Sequence, residues 1–125
     1  MKTYHPGLAS GRWFTFSIAE QLGNVGSEYE RALRAKERDD AVSFEHALAR
    51  LLELLDLTIA DPRWRNHRLR EICRVREVVC DQLCSEQPEP WSYPDLRDYF
   101  LQFGILARNE RERALELGTV PATHQ

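Results

Sequence analysis

Apolar residues recur along this chain with the spacing of helices. The most apolar run covers residues 47–62, and its apolar positions follow steps of three and four residues from Phe44: Leu48, Leu51, Leu52, Leu55 and Ile59. Leu54 and Leu57 widen the apolar side until little polar surface remains, which predicts a helix largely covered by its neighbours. Asp61 and Pro62 predict the boundary with the next helix, with Asp61 as its N-cap and Pro62 in its first turn.

The same spacing predicts three further helices and no sheet. The four predicted helices cover residues 11–38, 39–60, 62–85 and 93–117, and residues 1–10 and 119–125 are predicted to be irregular. The charged linker between the first two helices fits either of them. A capping box from Ser92 to Asp95 begins the fourth helix and Gly118 ends it. Four helices of similar length with short connections predict one all-α domain, an up-down-up-down four-helix bundle.

Two glycines lie inside the first predicted helix. Gly23 and Gly26 each cost a helix ~1 kcal/mol relative to alanine. They therefore predict either a close approach of another backbone or a kink at this place.

Composition and charge narrow the cellular setting. A formal charge of −3 disfavours nonspecific attraction to nucleic acid or anionic membranes, and 15 of the 17 basic residues are arginine, which favours ion-pair networks or a focused anion site. Glu53 and Asp56 interrupt the longest apolar run, so we expect no membrane span. The N-terminal residues lack a hydrophobic signal core and the cysteines number three, so we expect a cytoplasmic protein.

The cysteines do not form a metal-binding pattern. Cys73, Cys80 and Cys84 are predicted on the inner side of the third helix, whereas His46 and His67 project outward from theirs. A zinc site needs a fourth ligand, so we expect reduced, metal-free cysteines that pack as small hydrophobes. Phosphate-loop, serine-hydrolase and metalloprotease motifs do not occur, and we predict no catalytic residue, no metal and no cofactor.

Two charges fall where core residues are expected. Arg76 lies on the apolar side of the third predicted helix, and Glu110 lies on that of the fourth. Counting levels along an up-down bundle places Glu28 and Glu45 near the height of Arg76, which makes them its candidate partners. A structural ion pair or a snorkelling side chain accounts for Arg76, and so does a polar pocket that binds a small anion.

The third predicted helix also carries a basic stripe along its outer side, made of Arg63, His67, Arg70 and Arg74. Such a stripe is able to contact phosphates of RNA or DNA. Glu71, Glu77 and Asp81 share this half of the helix and favour a solvated face whose charges pair with one another.

Surplus apolar residues predict an interface. Trp13 and Phe16 are predicted on the outer side of the first helix, and Leu101 and Ile105 on that of the fourth. If these helices are neighbours, the four residues form one exposed patch, which monomers rarely leave in water. A twofold contact would bury it, with Trp13 as the anchor.

Segments 13–28 and 54–62, together with the arginine-rich third helix, resemble a group of small uncharacterised bacterial helical proteins. That resemblance implies no activity. In layout alone the chain is similar to bacterial four-helix-bundle accessory proteins, such as those of diversity-generating retroelements and of ribosomal-RNA intervening sequences. By analogy of architecture alone, this similarity favours a nucleic-acid accessory role, although those proteins tend to be more basic than this chain.

Three functions follow, in order of preference. The sequence favours a non-enzymatic binding or adaptor protein that acts as a homo-oligomer through Trp13, Phe16, Leu101 and Ile105. The alternative is an RNA- or DNA-binding accessory protein that uses the basic stripe. The third is a small-anion binder or an enzyme with a polar pocket around Arg76.

Overall fold

Four long helices dominate the fold. The computed structural model describes residues 4–86 and 96–118. It contains α1 (Pro6–Ala9), a 3-10 helix (Arg12–Thr15), α2 (Ile18–Glu37), α3 (Ala41–Ala60), α4 (Asn66–Cys84) and α5 (Leu96–Glu116), with no strand in these two ranges. The prediction of an all-α protein is confirmed, and the four long helices are consistent with a bundle. The predicted capping box and the C-terminal tail lie outside the described residues.

The first long helix begins later than predicted, at Ile18 instead of residue 11. Ser17 is its N-cap: the Ser17 hydroxyl accepts from the backbone N–H of Glu20 at 3.1 Å, and the Glu20 carboxylate accepts from the N–H of Ser17 at 2.8 Å. This capping box fixes the helix start. Upstream, Gly11 has a φ of 128°, which no helix continues through, so residues 6–15 form two short helical turns.

The boundary at Asp61 and Pro62 also differs from the prediction. Asp61 is the C-cap of α3 and does not cap α4, which begins four residues after Pro62, at Asn66. The Asp61 carboxylate instead accepts from the backbone N–H and the guanidinium of Arg63 within the connection. At the other end of α3, Asp40 is the N-cap and accepts from the N–H of Ser43 at 3.1 Å.

α2 is the central helix, because it packs against α3, α4 and α5. The largest fully buried side chains come from the 3-10 helix, α2, α3 and α4: Trp13, Leu22, Leu51, Leu55, Ile72 and Leu83. From α5, Leu96, Phe100 and Ala107 are buried. None of the described helices is long and apolar enough to cross a membrane.

The glycines of α2 lie where α5 comes closest. A Cβ placed on Gly26 would lie 2.5 Å from the Cβ of Phe100, and one on Gly23 would lie 3.2 Å from the Cα of Gly104. Real Cβ atoms do not approach other atoms as closely as 2.5 Å, so the helices pack this tightly only because Gly26 has no side chain. The predicted close approach of another backbone is confirmed.

Candidate interaction surface

Trp13 is not a surface residue, so the prediction for it is wrong. Its side chain is completely buried in the core, and the indole N–H donates to the Thr58 hydroxyl at 3.0 Å. The error arose because residues 12–15 form a 3-10 helix that precedes α2, so the helical wheel of α2 does not extend to them.

Phe16 also belongs to this N-terminal segment. It is half-buried, with its ring centroid 5.5 Å from that of Trp13. The guanidinium of Arg12 lies over the Phe16 ring, 6.0 Å from the ring centroid. Phe16 is thus the C-cap of the 3-10 helix and was wrongly placed on a longer first helix.

Leu101 and Ile105 do lie on the outer side of α5. Their exposed fractions are 59% for Leu101 and 46% for Ile105, although the buried residues of the same helix face α2. The two side chains are one helical turn apart and form a continuous apolar feature, the α5 ridge.

A groove lies directly beside the α5 ridge, between α2 and α5, with a volume of about 310 Å³. Three glycines line it, Gly23 and Gly26 from α2 and Gly104 from α5, and of these only Gly104 has open space where its side chain would be. Leu101 belongs to both the groove and the ridge. At the groove, the Arg97 guanidinium donates to both carboxylate oxygens of Glu30, at 2.8 and 3.1 Å. We call this feature the α2–α5 groove.

Arg76 is not a buried charge, and its predicted partners are wrong. Its guanidinium donates to Asp56 at 2.9 Å, and 37% of the Arg76 side chain and 61% of the Asp56 side chain are exposed. Arg76 lies at the edge of the buried face of α4, from which its long side chain reaches outward. Arg76 therefore does not supply the buried charge that the expected polar pocket would need.

Of the other three charges that were predicted to be buried, two are exposed and one is buried. Glu45 and Glu110 are exposed, and the Glu110 carboxylate accepts from the Ser17 hydroxyl at 2.9 Å. Glu28 is buried as predicted, but it pairs with Arg50 at 3.2 Å and with Arg31 at 3.0 Å, not with Arg76.

An N-terminal histidine joins this cluster around Glu28. His5 Nδ1 lies 2.6 Å from Glu53 Oε1, and His5 Nε2 lies 3.9 Å from Glu28 Oε2. The backbone N–H of Tyr4 donates to the other Glu53 oxygen at 3.1 Å. These contacts hold the N-terminal segment across α2 and α3. Sequence reasoning missed them, because His5 fell in a predicted tail.

A second polar cluster, around Gln21 and Asp61, is fully buried. The Gln21 amide donates to Asp61 at 2.9 Å and to the Trp13 carbonyl at 2.9 Å, and its oxygen accepts from the Trp64 indole at 2.8 Å. Burial opposes ionisation of Asp61, but hydrogen bonds from the side chain and backbone of Arg63 and from Gln21 outweigh it and hold its pKa below the usual value. Each of these groups has its partner, so the cluster is structural. Helical spacing alone gave no sign of it.

The predicted basic stripe is partly formed. His67, Arg70 and Arg74 are exposed on α4, but Arg63 lies in the α3–α4 connection and binds Asp61 at 2.7 Å. Glu71, expected to pair with this stripe, instead binds Arg68 at 3.0 Å and accepts from the Tyr99 hydroxyl of α5.

Comparison with known proteins gives no identification. The chain matches no protein family, no curated protein and no solved structure. The resemblances seen in the sequence stay predictions.

The cysteines are less buried than predicted. Cys73 and Cys80 are half-buried and Cys84 is exposed near the end of α4, and all three are free thiols. Burial raises the pKa of the Cys80 thiol. Within residues 4–86 and 96–118 there is no group of three or more His, Cys, Asp or Glu side chains that would hold a metal ion.

Proposed function

We propose that this protein is a non-enzymatic binding protein that pairs with a second copy of itself through the α5 ridge and the α2–α5 groove. One observation carries the proposal: Leu101 and Ile105 are 59% and 46% exposed immediately beside a groove lined by glycines. Exposed apolar surface is disfavoured by ~25 cal/mol per Å² in water, which a contact would recover. We further propose a reducing, cytoplasmic setting, since all three cysteines are free.

The surface fits a second copy because it contains both halves of a contact. In a twofold dimer the same patch faces itself, so the α5 ridge of one protomer enters the α2–α5 groove of its partner and the reverse. Glu30 and Arg97 pair with each other within the protomer, so this pair adds no net charge at the groove that would repel a second copy. At 21 residues, α5 is about 30 Å long, which is sufficient for an extended contact.

Substitution of the ridge tests this proposal. We expect Leu101→Glu to give a folded monomer, because each protomer would bury one unpaired carboxylate in the apolar groove of the other. The masses of wild type and variant are compared by light scattering at micromolar concentration, and their helicity by circular dichroism. The matched control is Val42→Glu, since Val42 is an apolar residue of α3 with 67% exposure.

The control decides the outcome. If the Val42→Glu variant is as fully monomeric as the Leu101→Glu variant, added charge and not the α5 ridge controls association, and the proposal is wrong. Leu101→Glu protein that keeps the assembled mass would contradict it equally.

We also propose that the helices are connected up-down-up-down. Two contacts between α2 and α5 support this: Ser17 at the start of α2 meets Glu110 late in α5, and Glu30 later in α2 meets Arg97 at the start of α5. In a chain whose native cysteines are replaced by serine, a Ser17→Cys/Glu110→Cys pair should form an intramolecular disulfide, and a Ser17→Cys/Arg97→Cys pair should not. The reverse result would contradict this topology.

A further inference from the structure

The connection from α3 to α4 and the start of α4 together carry the densest positive charge in the described chain. Residues 63–70 read Arg-Trp-Arg-Asn-His-Arg-Leu-Arg, with four arginines, one histidine and no acidic residue. This segment has a formal charge of +4 with its histidine neutral, in a protein whose formal charge is −3. The charge is therefore local and not a property of the whole surface.

Some of these cations pair with a carboxylate and others do not, although the Arg65 guanidinium donates to the backbone carbonyl of Trp64 at 3.1 Å. Arg63 binds Asp61, and Arg68 binds Glu71. Arg65, His67 and Arg70 are exposed, and none of the carboxylates in the described part of the chain forms an ion pair with them. Three positive or protonatable groups thus face solvent within six residues.

The stability of α4 does not explain this arrangement. A helix start favours acidic side chains, because its free backbone N–H groups carry partial positive charge. α4 has Arg65 as its N-cap, no side-chain cap hydrogen bond and no acidic residue in its first turn. Arg65, at the helix start itself, therefore disfavours α4, and the stability of this helix does not account for its placement.

An aromatic ring adds a second recognition element. The Arg63 guanidinium lies over the Trp64 ring, 4.6 Å from its centroid, and Asp61 fixes it through both carboxylate oxygens. The Trp64 indole is held in turn by Gln21 at 2.8 Å. The Arg63 side chain is still 40% exposed. A guanidinium fixed in this way is a surface on which a nucleobase stacks.

We propose that this surface binds single-stranded nucleic acid, with phosphates held by Arg65, His67 and Arg70 and a base stacked on Arg63 beside Trp64. Arginine suits this role because its planar donor fork matches a phosphate group. A lipid surface fits less well, since peripheral binding needs exposed apolar side chains to insert and the exposed residues of this segment are polar or charged. The surface lies on α4 and its connection, so the inference is independent of the α5 ridge.

Salt dependence tests the phosphate contacts. The probe is a fluorescently labelled 12-nucleotide oligouridine, and its binding is followed by anisotropy. The two arginine contacts to phosphate, counted with His67 neutral, predict a roughly 7-fold loss of affinity between about 50 and about 200 mM salt for a single strand. For Arg65→Gln/Arg70→Gln the affinity should be lower at both salt concentrations and should hardly change between them. The matched control is Arg34→Gln/Arg108→Gln, which removes the same charge from exposed positions of α2 and α5.

Binding of other ligands shows whether the protein recognises phosphates, bases or negative charge in general. An oligodeoxyuridine should bind with a similar salt dependence, because phosphates and stacking are common to both strands, and an abasic strand of equal length should bind more weakly. The inference is overturned if the wild type does not bind at about 50 mM salt, or if the control variant loses as much affinity as the double variant. Tighter binding to polyglutamate or to anionic phosphatidylserine vesicles would also overturn it, and equal binding of the abasic strand would remove the stacking role of Arg63.

Discussion

At the scale of residues, burial decides which charged side chains contribute most to the stability of the fold. Asp61 and Asp56 are both aspartates paired with an arginine, but Asp61 is completely buried whereas the Asp56 side chain is 61% exposed. A buried group that loses its partner retains a desolvation penalty, whereas an exposed one regains water. Nothing in the local sequence distinguishes the two, because the burial of Asp61 depends on Gln21 and Trp13, which are distant along the chain.

We expect Asp61→Ala to lower the free energy of unfolding by about 2–3 kcal/mol, because the buried Gln21 amide and the N–H of Arg63 lose their acceptor. The control Asp56→Ala should change it by no more than about 1 kcal/mol, as is usual for exposed pairs. Chemical denaturation monitored by circular dichroism measures both variants. Equal effects would show that Asp61 is not the buried centre of this network.

Acid should destabilise the protein through the same residue. The pKa of Asp61 is lowered in the folded state, so the unfolded chain takes up a proton first as pH falls. The contribution of Asp61 is therefore complete above the unfolded pKa of about 3.9 and is lost as pH falls through the lower folded value. Asp40, whose pKa is lowered mainly by hydrogen bonds from Ser43, adds to this trend.

Unfolding free energies between pH 7 and pH 2 measure the effect. We expect the wild type to lose more stability on acidification than Asp61→Asn, which has no group to titrate at this position. Identical losses for the two proteins would contradict the lowered pKa.

At the scale of elements, Gly23 and Gly26 predicted either a close approach of another backbone or a kink, and the structure shows the close approach. Glycine in a helix interior costs stability relative to alanine, which close packing offsets, but the sequence did not say which helix comes close. The start of α2 was predicted badly. Residues 12–17 contain enough apolar side chains to continue a helical pattern, but the Ser17 capping box and the φ of Gly11 end the pattern there.

Alanine substitutions at two glycines test the α2–α5 packing. We expect Gly26→Ala to destabilise the protein by about 1–3 kcal/mol, because its Cβ would lie 2.5 Å from that of Phe100 and α5 must shift. Gly7→Ala is the control, since a Cβ there meets nothing within 4 Å and Gly7 does not line the α2–α5 groove. It should change the stability by no more than about 1 kcal/mol, the size of the difference in helix propensity. Thermal melts that rank the two variants in the opposite order would contradict this packing.

At the scale of the whole molecule, an all-α fold and an apolar outer side of α5 followed from periodicity. Periodicity assumes one continuous helix, which is why Trp13 was placed on the surface. It also treats every position on the buried side alike, although a long side chain at the edge, such as Arg76, reaches water. The α2–α5 groove was beyond prediction, because it is a space between two helices and not a pattern in either.

Sedimentation equilibrium of the unmodified protein tests the central claim, that the α5 ridge and the α2–α5 groove join two copies. The chain has a mass of 14.6 kDa, so a dimer has twice that mass, 29.2 kDa. The wild type is expected to approach the dimer mass at micromolar concentration, because the α5 ridge is then buried in the partner's groove. A mass that stays at 14.6 kDa up to the highest concentration reached would contradict the account.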